Sequence, residues 1–192
     1  MKKIFFLTII VIHFLSISKI VAQQDYSNKF DFKFGTGIGF MGWGDLLAVC
    51  FENELNYKIN DYFTTSVGVG YGRNIGNSND VFEQHNDYLL GSVNGFISPF
   101  RNNRRNNFKV GGGYTYLNQA ASYIAAIYHY PYEDIRYYKD GYSAHCFNVI
   151  VEDEYRITTR LMIGAKLFYT GDIKDGGSGE LFGGLIKFGV AL

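Results

Sequence analysis

No stretch of this chain is long and apolar enough to cross a membrane as a helix. The longest apolar run, Ile4 to Leu15, is about a dozen residues, against the roughly 20 a spanning helix needs. Nor are cations in excess. With residues 1–22 set aside, and Lys2, Lys3 and Lys19 with them, 15 Lys and Arg remain against 18 Asp and Glu, a net charge of −3. That is no electrostatic footprint for nucleic acid. Histidine is scarce: there are four, one in the first 22 residues, all far apart in sequence. No metal and no cofactor is therefore expected. Only Cys50 and Cys146 carry thiols. An oxidising compartment would permit one disulfide, but bridging needs Cα atoms within about 7 Å. The two cysteines fall on strands far apart in the order below, and two small buried thiols are the plainer expectation.

The first 22 residues have a job of their own. Lys2 and Lys3 form a basic start, an apolar run follows, and small Ala22 precedes Gln23. That order predicts a signal peptide over 1–22, removed after Ala22, and one mature domain over 23–192. An exported chain without a membrane helix is either soluble or crosses a membrane as strands.

The composition favours strands. There are 23 glycines, 33 Phe plus Tyr and only two prolines. Phe30 to Phe40 (FDFKFGTGIGF) sets the pattern. Phe30, Phe32, Phe34, Ile38 and Phe40 share one face, while Asp31, Lys33, Gly35, Gly37 and Gly39 share the other. The alternation recurs over 47–59, 63–72, 108–116, 144–157, 161–170 and 182–192, and more weakly over 87–97, where Tyr88, Leu90 and Phe96 fall on the wrong face. Eight strands of about ten residues suit an antiparallel up-and-down transmembrane β-barrel. Outward aromatics gather at both ends: Phe30, Tyr57, Phe63, Phe108 and Tyr155 at one, Phe40, Tyr71, Tyr116, Tyr169 and Phe182 at the other. Rings at two membrane interfaces produce such belts. Asp153 misfits, since it falls on the lipid face.

The inward face collects Asp31, Glu52, Glu54, Glu152 and Glu154 against Lys33, Lys58, Lys109, Arg156, Lys166 and Lys187. Strand register about the turns sets Lys33 opposite Glu54 and Glu152 opposite Lys166. Glu-Asn-Glu at 52–54 is echoed by Glu-Asp-Glu at 152–154. An eight-stranded interior is just wide enough for side chains to fill, so a plugged, salt-bridged core is expected and a polar conduit is the alternative.

Among the connections, Ser98 to Asn107 (SPFRNNRRNN) is a basic, asparagine-rich turn, read as a solvated loop. Asn118 to Gly141 is the longest, and holds Tyr123, Tyr128, Tyr130, Tyr132, Tyr137 and Tyr138. It is either an external contact loop or an extension of its flanking strands beyond the membrane.

The exported start, the eight alternating strands and the last strand running to Leu192 resemble small outer-membrane β-barrel proteins. The similar type is the OmpA/OmpX-like barrel domain of Gram-negative bacteria, particularly Bacteroidota. The resemblance covers the whole mature chain but carries no catalytic motif, and Leu192 stands where such families often end in Phe. It implies insertion by the barrel assembly machinery, contact with outer-membrane lipids and a porin-like shape. No nucleic-acid partner is expected, any extracellular ligand is unknown, and the chain is expected to be a monomer. Some eight-stranded barrels modify lipid A with histidine, serine and an acid on the outer wall. His145 and Ser143 lie there, but no deacylase motif surrounds them, and a surface histidine at a strand end is the expectation. The Glu52/Glu54 pair beside lysines is expected to form ion pairs rather than a catalytic acid and base. The function expected is therefore non-enzymatic, structural or surface-interacting, with a lipid-modifying enzyme or small conduit as the alternative.

Overall fold

Phe30–Met41 (β1), Leu46–Lys58 (β2), Phe63–Asn74 (β3), His85–Ile97 (β4), Asn106–Tyr128 (β5), Asp134–Arg156 (β6), Leu161–Asp172 (β7) and Leu181–Ala191 (β8) form one sheet, every neighbour antiparallel. β8 pairs back onto β1 from Asp31↔Ala191 to Met41↔Leu181, so the sheet closes into a barrel in sequence order. The structure is a computed structural model that describes residues 28–42, 46–75, 85–102, 104–128, 134–174 and 180–192. The predicted signal peptide lies outside the described residues. β1 begins and β8 ends at the end of the barrel that carries the 59–62, 98–105 and 157–160 turns, called the short-turn end below.

The alternation in the sequence became two opposite surfaces. Phe32, Ile38, Val67, Val93 and Ile186 are exposed on the outer wall, whereas Lys33, Lys109 and Lys187 are each 1% exposed inside. Burial is thus inverted relative to a water-soluble domain, in which lysine is almost never fully buried unless paired. The outward aromatics touch within their belts: Phe30 and Tyr57 rings lie 4.9 Å apart at the short-turn end, Phe40 and Phe182 rings 5.0 Å apart at the opposite end.

The fourth strand, weakest in the sequence, is explained by its neighbours. Tyr88, Leu90 and Phe96 point inward, and β3 and β5 offer glycine where these side chains need room. Gly72 pairs with Tyr88, Gly70 with Leu90 and Gly111 with Phe96. A Cβ on Gly72 would stand 2.2 Å from the Tyr88 ring, and one on Gly111 2.4 Å from the Phe96 ring. The bare inner face of β3 is therefore filled by its neighbour's bulk.

The segment 118–141 is for the most part not a loop. β5 continues to Tyr128 and β6 resumes at Asp134, paired from Tyr128↔Asp134 through Tyr123↔Tyr138, with one register shift between Ile124 and Ala126. Tyr123, Tyr128, Tyr137 and Tyr138 thus belong to strands, and Tyr130 and Tyr132 lie outside the described residues. Pairing satisfies each strand's backbone groups with its partner, which a loose loop would leave to water. β4 pairs with β5 only as far as Ser122, and β7 with β6 only as far as Cys146. Beyond those points β5 and β6 run on as a two-stranded ribbon.

The 98–105 turn is also more ordered than a solvated loop. Arg101 takes a positive φ of 71°, unusual for a residue with a side chain. The chain folds back there, and the Asn102 N–H donates to the Asp61 carbonyl at 2.6 Å. Buried Asn102 also donates through Nδ2 to the Asn60 carbonyl at 2.7 Å and to Thr64 Oγ1 at 3.2 Å. The turn thereby lies against the β2–β3 turn at the foot of the barrel.

Candidate functional site

The charged interior is built by strands on opposite sides of the barrel. β2 and β6 stand four strands apart in the closed order. Glu52 and Glu54 of β2, and Glu152 and Glu154 of β6, point inward two residues apart, so each strand presents a pair of carboxylates. The echo of Glu-x-Glu in the sequence is thus two acidic poles facing each other. Lysines from β1, β5, β7 and β8 fill the space between.

Register places Lys33 opposite Glu54 and Glu152 opposite Lys166. The ion pairs of Lys33 and Lys166, however, do not follow register, whereas Lys109 does meet its register partner Glu152. Lys33 Nζ reaches Glu152 Oε1 at 3.1 Å and also meets Glu154, both on the far wall. Lys166 instead reaches Glu52 at 2.5 Å and Glu54 at 3.1 Å. Lys187 spans the two poles, 2.8 Å from Glu54, 3.7 Å from Glu52 and 3.3 Å from Glu152. Lys109 meets Glu154 at 2.8 Å and Glu152 at 3.6 Å, with its ammonium 5.0 Å from the centre of the Phe96 ring. The physical reason is side-chain length. Lysine and glutamate are long enough to meet across a narrow lumen, where a pair is screened less than at a wall open to water. Nearer the short-turn end Asp31 stands 3.6 Å from both Lys58 and Arg156.

A neutral network lies beside the charges. Asn148 donates to Asn94 Oδ1 at 2.8 Å and to Thr115 Oγ1 at 2.6 Å, and accepts from Thr170 at 3.1 Å. Asn94 in turn donates to Ser92 and Ser66.

The sequence did not announce what lies beyond, toward the opposite end. Met41, Ala48, Tyr88, Leu117, Ala144, Leu181 and Leu185 form a buried apolar layer across the lumen. Cys50 and Cys146 lie within it as two buried thiols, not joined by the disulfide considered from the sequence. The clue was present: these apolar residues sit on the inward positions of their strands. A cavity of about 30 Å³, lined by Cys50, Tyr88, Leu90, Asn94, Asn148 and Lys166 among others, lies between the apolar layer and the polar one. That is room for a water or two.

The outer-wall histidine has local partners. The Tyr114 hydroxyl and His145 Nδ1 are hydrogen-bonded, and the Tyr116 ring lies 5.5 Å from the imidazole. Ser143 accepts a hydrogen bond from Asn118 at 3.1 Å. Serine and histidine are thus each engaged by a β5 side chain. Asp153 sits half-buried on the outer face, paired with Phe108 and Ala165 near the short-turn end. Among the described residues, no group of three or more His, Cys, Asp or Glu converges where a metal could sit.

No protein-family model matches the sequence, and no curated protein does. Solved structures do match the fold. The outer membrane protein OprG from Pseudomonas aeruginosa aligns with a TM-score of 0.56 at 10% identity, over 88% of this chain and 98% of that one. Ail, the attachment invasion locus protein of Yersinia pestis, aligns at 0.53 and 10% identity, over 85% and 95%. Neisserial surface protein A aligns at 0.53 and 12% identity, over 85% and 96%. The chain has the fold of small eight-stranded outer-membrane β-barrels.

Proposed function

We propose that this protein is an outer-membrane β-barrel with a closed interior, non-enzymatic, that acts through its outer surface and its projecting ribbon. The observation that carries this reading is the inverted burial. A wall of exposed Phe, Ile, Val and Leu around fully buried lysines is stable only where the outer wall meets hydrocarbon. The short-turn end then faces the periplasm, and the β5–β6 ribbon faces outward. Ion pairs, the neutral network and the apolar layer occupy the described interior, which favours a structural or surface-contact role over a conduit.

The expected result is recovery of the mature chain, cleaved after Ala22, in outer membranes. It should migrate as a folded, heat-modifiable species in SDS gels, because a closed barrel has no free edge from which to unzip. Planar bilayers holding the protein should show little or no conductance. Recovery as a soluble periplasmic protein would overturn the placement, and large steady channels would overturn the closed interior.

The ribbon gives a separate test. Ser122 and Lys139 are register partners. Replacing 123–138 by an Asn-Gly turn should therefore close β5 onto β6 and leave a heat-modifiable barrel. Failure of that variant to assemble would place the ribbon in the folding core instead of on the surface.

A further inference from the structure

We propose that the short-turn end is a docking collar for anionic glycerophospholipid headgroups of the surrounding leaflet; this rests on the membrane placement given above. Outside the strands at this end, the described residues include five cations, Lys29, Arg101, Arg104, Arg105 and Arg160, and one acidic side chain, Asp61. The opposite end shows no such excess among the described residues: beyond Arg73, which pairs with Asp87 at 2.8 Å, they include Arg136, Lys139 and Lys174 against Asp134, Asp140, Asp172 and Glu180.

Two of the collar's guanidinium groups are held in place. Arg101 Nε donates to the Tyr62 hydroxyl at 3.0 Å, with its guanidinium 5.7 Å from that ring's centre. Arg105 stacks 4.9 Å from the centre of the Tyr155 ring, and its Nε donates to the Arg156 carbonyl at 3.1 Å. These contacts with neutral groups fix the cations without cancelling their charge. The turn that bears them is itself pinned by buried Asn102.

The same turns expose apolar side chains. Ile59, Tyr62, Phe100 and Ile157 are all more than 40% exposed. A soluble acidic partner would engage the cations and leave much of this apolar surface in water. A lipid leaflet takes both at once, with aromatic and aliphatic groups at the interface and phosphates beside the arginines. Arginine also suits phosphate geometrically, through paired N–H donors.

The test uses the full mature barrel, folded and inserted in vesicles, then extracted into mild detergent for native mass spectrometry. The probes are phosphatidylglycerol and phosphatidylethanolamine at equal concentration. The wild type should retain phosphatidylglycerol with about a tenfold preference, which falls as salt rises. The R101Q/R104Q/R105Q variant should lose most of that preference while its heat-modifiable mobility stays unchanged. A K139Q/K174Q variant should keep it. Equal retention of the two lipids by the wild type would overturn the proposal. So would a preference that survives in the arginine variant, or one lost equally in the lysine variant. Salt-sensitive binding to isolated peptidoglycan in place of lipid selectivity would assign the collar to a polymer and overturn it too. Failure to insert into vesicles at all would strike the membrane placement itself, and is seen before any lipid is measured.

Discussion

Glu152→Ala should destabilise the barrel by roughly 3–5 kcal/mol, the range for breaking a buried ion pair from one side. Glu152 is fully buried and lies 3.1 Å from Lys33, 3.3 Å from Lys187 and 3.6 Å from Lys109. Its removal leaves Lys33, Lys109, Lys166 and Lys187 with only Glu52, Glu54 and Glu154 to balance them. Guanidinium unfolding in lipid vesicles would report the loss. Adding Lys109→Met should recover a substantial part of it, because one uncompensated ammonium is replaced by an apolar chain against Phe96. A cycle on Lys33 and Glu152 should show clear coupling, and one on Lys33 and Glu54 a smaller one. That order distinguishes the cross-lumen pairs from the register pairs. Equal couplings, or a Glu152→Ala loss below about 1 kcal/mol, would mean that the lysines find other partners or water.

Gly37→Ala should cost about 1–3 kcal/mol or more, the scale of overpacking in a close-packed site. Gly37 lies on β1 at the seam with β8, where a Cβ would stand 2.0 Å from the Gly184 carbonyl oxygen and 2.8 Å from the Leu185 Cα. Those are backbone atoms, which no side-chain rotation can move aside. The strands must separate, and this seam is the one that closes the barrel. Gly183 shows the same closeness from the other side, 2.4 Å from the Ile38 carbonyl oxygen. Gly91→Ala is the control, since a Cβ there meets nothing within 4 Å. It should leave the midpoint within about 0.5 kcal/mol of wild type. A neutral Gly37→Ala would show that β1 and β8 approach less closely than described.

The number of strands, the side on which the alternating residues face and the pairing across the 41–46 and 158–160 connections were legible in the sequence. They follow from local rules: period-two alternation, and turns that fix register between consecutive strands. Lys33 opposite Glu54 and Glu152 opposite Lys166 came from those rules alone, and the positions agree. What the rules cannot reach is anything that depends on closure. Which carboxylate Lys33 and Lys187 meet is decided across the lumen, between β1 and β6 or β8 and β2, whose separation exists only once the sheet has closed. Tyr88 and Phe96 looked misplaced because their space is made by Gly72 and Gly111 on neighbouring strands. Each strand alone shows either a bare face or a bulky one, and only pairing shows that they fit. The apolar layer around Leu117, Leu181 and Leu185 was missed for the same reason. Six strands contribute one or two such inward residues each, too few to read as a pattern until the closed sheet brings them to one level.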